Sequence, residues 1–121
     1  MRRIVIESPY AGDINRNLEY LGAALRDSLR RGEAPFASHA LYTAVLDDDV
    51  SADRELGIAA GLRWGEMADA TVVYTDLGIS RGMEQGIAHA KRCRRPIEFR
   101  ALGPTWRGPG ASIAEVPGSV Q

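Results

Sequence analysis

Acids, a histidine and small residues recur where apolar runs of this chain give way to turns. The run "RIVIE" ends on Glu7, and Ser8, Pro9, Tyr10, Ala11, Gly12 and Asp13 follow at once. A carboxyl group closing an apolar strand is costly to bury without a partner or a task. Glu7 is therefore either a working acid, a hydroxyl acceptor, or a group bonded to a neighbouring loop. The segment from Ser8 to Asp13 is a turn ahead of a helix. Backbone N–H groups and the helix dipole there favour an anion such as phosphate, although a plain turn has the same composition. His39 and Tyr42 follow a second apolar run, as ligand contacts or, for the histidine, as a surface or loop-supporting group. Tyr10 either stacks on a ligand ring or covers the edge of the core. Asp76 closes a third run, as a turn cap or a second acceptor. Gly82, Met83 and Glu84 open a later helix. Glu84 is either a displaced working carboxylate or a charge that suits the helix N-terminus.

The elements that must position these groups follow from periodicity. Residues 3–6 form a buried strand, and Asp13 caps a helix running to about Arg31 and ended by Gly32. Leu18, Leu21, Leu25 and Leu29 of that helix share one stripe. Residues 34–38 make a short strand, followed by a turn or short helix over "HALYTAVLDDD". A helix from Ser51 to Met67 carries Leu56, Ala60, Trp64 and Met67 on one side and Ile58 and Leu62 on another. Two apolar sides imply either a subunit contact or a deeper position within the monomer. "ATVVYTD" is a buried strand, residues 81–92 a helix, and "PIEFRAL" the last strand. Strands alternating with helices on short joints argue for an α/β domain, its parallel sheet covered on both faces. Residues 1–102 form this domain. A tail of glycine and proline occupies 103–121, with Trp106 expected to pack against something.

Composition narrows the partners. A chain of 121 residues at net charge −1 has no field for a polyanion, which excludes bulk nucleic acid as a partner. The basic run from Lys91 to Arg95 reads as a solvated helix end or, alternatively, a phosphate patch. One cysteine, Cys93, excludes an internal disulfide, and the two histidines are not spaced as a metal pair. No spacing implies a metal or an organic cofactor. No stretch approaches a membrane span and "MRRIVIESPY" is no signal peptide, so a cytoplasmic protein is the expectation.

"SPYAGD", "PFASHALYTAVLDDD", "RELGIAAGLRWGEMADATVVYTD" and "GISRGMEQGIAHAK" come in a characteristic order and spacing. In these the chain resembles small bacterial and phage proteins related to the nucleoside 2-deoxyribosyltransferases, over residues 3 to 102. The 2'-deoxynucleoside 5'-monophosphate N-glycosidases belong to the same superfamily. The resemblance implies a three-layer flavodoxin-like or Rossmann-like domain with a central parallel sheet of four or five strands. It also implies a homodimer or higher homo-oligomer in which the partner helps to close the site. In those enzymes a glutamate carboxylate attacks the anomeric carbon, assisted by an aspartate on the helix before the third strand. The loop after strand one holds the sugar or its phosphate.

The resemblance also locates those carboxylates. The family pattern G-x-x-x-E counted from Gly82 ends on Gly86, and counting back eleven residues from Ile97 ends there too. The aspartate position falls on Gly61. Glu84 is two residues out of register, and helical residues two apart point about 200° from each other. The expected function is binding of a nucleotide, nucleoside or related phosphoribosyl compound. Hydrolysis of the N-glycosidic bond would follow if Glu7 or Glu84 has taken over the chemistry. A non-enzymatic protein that senses or sequesters a nucleotide signal, as in phage–host conflict, is the alternative, and a vestigial pocket is the plainest reading.

Overall fold

Alternation along the first strand, β1 (Arg3–Glu7), sorts the domain into two sides. In the computed structural model, which describes residues 1–107, Ile4 and Ile6 point to one face of the sheet. There they pack with Tyr20, Leu21 and Ala24 of helix α1 (Ile14–Arg30). Val5 and Glu7 point to the other face. Strands β2 (Ala34–Phe36), β3 (Ala70–Tyr74) and β4 (Ile97–Arg100) complete a parallel four-stranded sheet in the order β2-β1-β3-β4. Ile4 to Glu7 stand in register with Ala70 to Val73. The strand order turns between β1 and β3, where the sheet grows in opposite directions from its middle. This is the flavodoxin-like arrangement, with every residue of β3 buried.

Local chemistry explains the helix limits. Asp13 accepts from the N–H of Arg16 at 3.2 Å and caps α1. Gly32, at φ 81, ends it. The N–H groups of Gly32 and Glu33 turn back to the carbonyls of Leu29 and Ser28, closing a Schellman motif. The buried side of α1 runs through Asn17, Tyr20, Leu21, Ala24 and Ser28. Of the leucine stripe, Leu21 belongs to the core and Leu25 packs against it, while Leu29 is exposed. Helix α4 (Arg81–Arg92) begins at Ser80, whose hydroxyl accepts from Met83 N–H. Trp106 sets its ring edge-on to Tyr20, 5.1 Å between centroids, so the start of the tail does pack. The rest of the tail lies outside the described residues.

Helix α3 (Ser51–Gly65) departs from expectation in two ways. It stops before Met67, because Met67 and Ala68 N–H groups bond three residues back, to Trp64 and Gly65, and turn the chain toward β3. It is also not deep. Leu56, Trp64 and Met67 are 60%, 60% and 61% exposed, so a deeper position in the monomer does not account for its two apolar sides. α3 rests on the helical turn α2 (Ser38–Leu41) and meets the sheet lightly.

The α1 side is closed at the foot of the sheet by ions. Arg100 grips Glu33 with two N–H···O bonds of 2.8 and 2.7 Å, while Ser28 and Arg2 donate to the same carboxylate. These partners, Arg100 above all, hold the Glu33 pKa down at about 2. A carboxylate with a folded pKa below its unfolded value stabilises fully above the unfolded value, near 4.5. That contribution is lost as pH falls from there through about 2. Glu33→Gln should therefore lower unfolding free energy at pH 7 by about 3 kcal/mol, the usual effect of breaking a buried pair. Urea titrations at pH 7, 5 and 3 should show a shallower acid loss in the variant than in the wild type.

Candidate functional site

Between the Val5/Glu7 face of the sheet, α2, α3 and α4 lies a cavity of about 390 Å³. It opens at the carboxyl end of β1 beside the strand-order switch. Of the residues singled out in the sequence, Glu7, Ser8, Tyr10, His39, Gly82 and Met83 line it. Pro9, Gly12, Asp13, Asp76 and Glu84 do not. Asp13 is the α1 cap, Gly12 turns the loop at φ 101, and Glu84 is exposed on the outer side of α4. Asp76 faces the other side of the sheet. It accepts from Tyr20 Oη at 2.6 Å and from the N–H groups of Leu102 and Gly103 at 2.8 and 3.0 Å. Burial opposes its charge, but these hydrogen bonds prevail and keep its pKa low. Asp76 anchors the start of the tail.

The first loop is held from below. Asn17 Nδ2 donates to the carbonyls of Tyr10 and Ala11 at 2.8 and 3.0 Å, which presents Ser8 and Tyr10 to the cavity. Ser8 Oγ lies 2.7 Å from His39 Nε2. Burial pushes the His39 pKa down to about 4, so its imidazole is neutral at pH 7. Such a pair offers one donor and acceptor set to a sugar hydroxyl. α2 carries His39 close to α3 because Gly61 has no side chain: a Cβ there would stand 2.5 Å from Ser38 Cβ.

Glu7 is the unusual group. Among the described residues no hydrogen bond reaches its carboxyl, and desolvation pushes its pKa up to about 8 against the opposing charge of Arg95. A Cβ built on Gly86 would collide with that carboxyl group. Glu7 thus occupies the space a side chain at 86 would need.

Arg95 departs from the reading of 91–95 as a solvated helix end. Lys91, Arg92 and Arg94 are exposed, but Arg95 is 8% exposed. It donates to Thr71 Oγ1 at 2.9 Å and to the Gly65 carbonyl at 2.7 Å. Arg94, left-handed at φ 55, swings it inward. Its neighbour Pro96, which starts the turn into β4, was the available signal. The spacing of Gly57, Gly61 and Gly65, four apart along one side of α3, was another sign of a cavity wall.

Residues 2–100 match a family described as a domain of unknown function, DUF7768. The chain belongs to that family. No curated protein matches it. Among solved structures, it is similar to a 2-deoxyribosyltransferase from Bacillus psychrosaccharolyticus, with a TM-score of 0.64 at 15% identity. The match covers 84% of this chain and 74% of that one. At that identity the likeness establishes a shared fold. No helix among the described residues is long and apolar enough to cross a membrane.

The close approach at Gly61 yields a direct test. Alanine is ordinarily the better helix former by roughly 0.8–1 kcal/mol. Gly61→Ala should nonetheless destabilise by about 1–3 kcal/mol, the usual range for overpacking, as read by chemical denaturation. Adding Ser38→Gly should recover most of that loss; a stabilised single variant would contradict the contact.

Proposed function

We propose that the cavity binds a nucleoside or nucleotide and that the protein cleaves its N-glycosidic bond. The observation that carries this reading is where the cavity sits: at the carboxyl end of β1, beside the strand-order switch, in a deoxyribosyltransferase-like fold. Its volume, about 390 Å³, falls among small-molecule sites, which span roughly 300–1,000 Å³. Tyr10 and Tyr42 on its lining are suited to stack on a base. The Ser8–His39 pair suits a sugar hydroxyl.

Incubation with a panel of ribo- and deoxyribonucleosides and their monophosphates, followed by chromatography, should show free base. The same compounds should raise the melting temperature, because a ligand bound only by the native state stabilises it. A panel that leaves the melting temperature unmoved removes the reading. Stabilisation without base release reduces it to binding.

Self-association through the outer side of α3 belongs to the same proposal. Trp64, Leu56 and Met67 form an apolar surface of the kind a second copy covers. Light scattering should report a dimer or larger for the wild type and a monomer for Trp64→Glu.

A further inference from the structure

The inference concerns the acid in the cavity and rests on the nucleoside reading of that site. We propose that Glu7, seated against the bare backbone of α4 at Gly86, is the catalytic acid that protonates the departing base and then recovers a proton from the attacking water.

Geometry supports this first. Glu7 ends a central strand, paired with Val73 of β3. It stands two residues beyond Val5, the last β1 residue in register with β2, so its backbone is held by the sheet. Its carboxyl group lies on the cavity lining and, among the described residues, is engaged by no hydrogen bond. The space it fills is available only because residue 86 is glycine. An acid packed this way is positioned but uncommitted, and both oxygens remain free of hydrogen bonds.

The surroundings favour its neutral form. Arg95, at the joint between α4 and β4, acts on its charge, and His39 of α2 and Arg81 and His89 of α4 share the cavity lining with it. Asp53 and Arg54 of α3, Asp48 before it, and the phenols of Tyr10 and Tyr42 complete the titratable lining. Arg95 alone opposes burial appreciably, and burial prevails, leaving Glu7 protonated up to about pH 8. The neutral form is the wrong one for attack on a carbon and the right one for giving up a proton.

The step balances with one carboxyl group. The bond between the anomeric carbon and the base nitrogen breaks, its electron pair going to the base, which takes the Glu7 proton. Water adds its oxygen to the anomeric carbon and loses a proton to the Glu7 carboxylate, restoring the acid. Nothing is oxidised or reduced, and the products are free base and sugar. Arg95, nearby, steadies the carboxylate while it exists.

The test uses the same panel of nucleosides and monophosphates. Glu7→Gln keeps the shape but holds no acidic proton, and base release should fall by about 100-fold or more. In Gly86→Ala the new methyl meets the flexible end of Glu7 rather than backbone, so the carboxyl moves and the fold stays. That variant should melt no lower than wild type, keep its thermal shift with the monophosphates, and lose base release at least roughly tenfold. For the wild type, kcat/KM should be level below about pH 8 and fall above it. Release that rises with pH through that range would identify a nucleophile instead and overturn the proposal. Undiminished release by Glu7→Gln would overturn this assignment alone. No release by the wild type despite a thermal shift would overturn this inference and leave binding. Neither release nor shift would overturn the nucleoside reading as well.

Discussion

Close approach at helical glycines shapes the cavity and everything that faces it. Along α3 an added Cβ would meet Leu46 Cδ1 at 3.3 Å from Gly57, Ser38 Cβ at 2.5 Å from Gly61, and Val5 Cγ2 at 3.4 Å from Gly65. Glycine inside a helix costs roughly 0.5–1 kcal/mol relative to alanine. A side chain forced into a filled space costs more, about 1–3 kcal/mol. At Gly61 the balance therefore favours glycine. At Gly57 and Gly65 the contacts are near ordinary packing, so the benefit there is the open volume between α3 and the sheet. The wall of the cavity is a helix with glycine at every fourth position of its inner side, between lining side chains such as Ile58 and Leu62.

Two glutamates show how the same side chain acquires opposite character within one small domain. Glu33 receives hydrogen bonds from Arg100, Arg2 and Ser28, and its pKa is about 2. Glu7 receives none among the described residues, and its pKa is about 8. Burial acts on both; partners decide the outcome. Structural stability is served by the first arrangement. The second sacrifices stability, since an unpartnered carboxyl in a desolvated site disfavours its charged form. Such groups cluster where proton transfer is needed.

Much of the fold was legible because the apolar runs were unambiguous. "RIVI" and "ATVVY" are β-branched, Asp13 and Gly32 bracket α1, and α4 spans residues 81–92 as its sequence implies. The site was legible in part. Glu7, Ser8, Tyr10 and His39 lie at strand ends, which in an open α/β sheet face the crevice. Asp76 also ends a strand, yet its partners Tyr20, Leu102 and Gly103 belong to the opposite side of the sheet. Which side a carboxylate takes after a strand depends on contacts far away in sequence, and no local pattern carries that. Arg95 was obscured for a related reason. Charge composition marks the run 91–95 as solvated, while the left-handed turn at Arg94 reverses the direction of one member.

The glycines at 86 and 61 can be weighed on the same footing. They are the two positions where the deoxyribosyltransferase resemblance implies carboxylates. The space at 86 is taken by the Glu7 carboxyl and the space at 61 by Ser38, both polar and both on the cavity lining. Side chains from the strand and from α2 fill the space beside these two helical glycines. A group on β1 is held by the sheet, Glu7 by its pairing with Val73, whereas one on a helical turn follows any movement of that helix. The arrangement places an acid in the cavity: a largely desolvated carboxyl, without a hydrogen bond among the described residues and carried on a strand, is better suited to moving a proton than to attacking carbon.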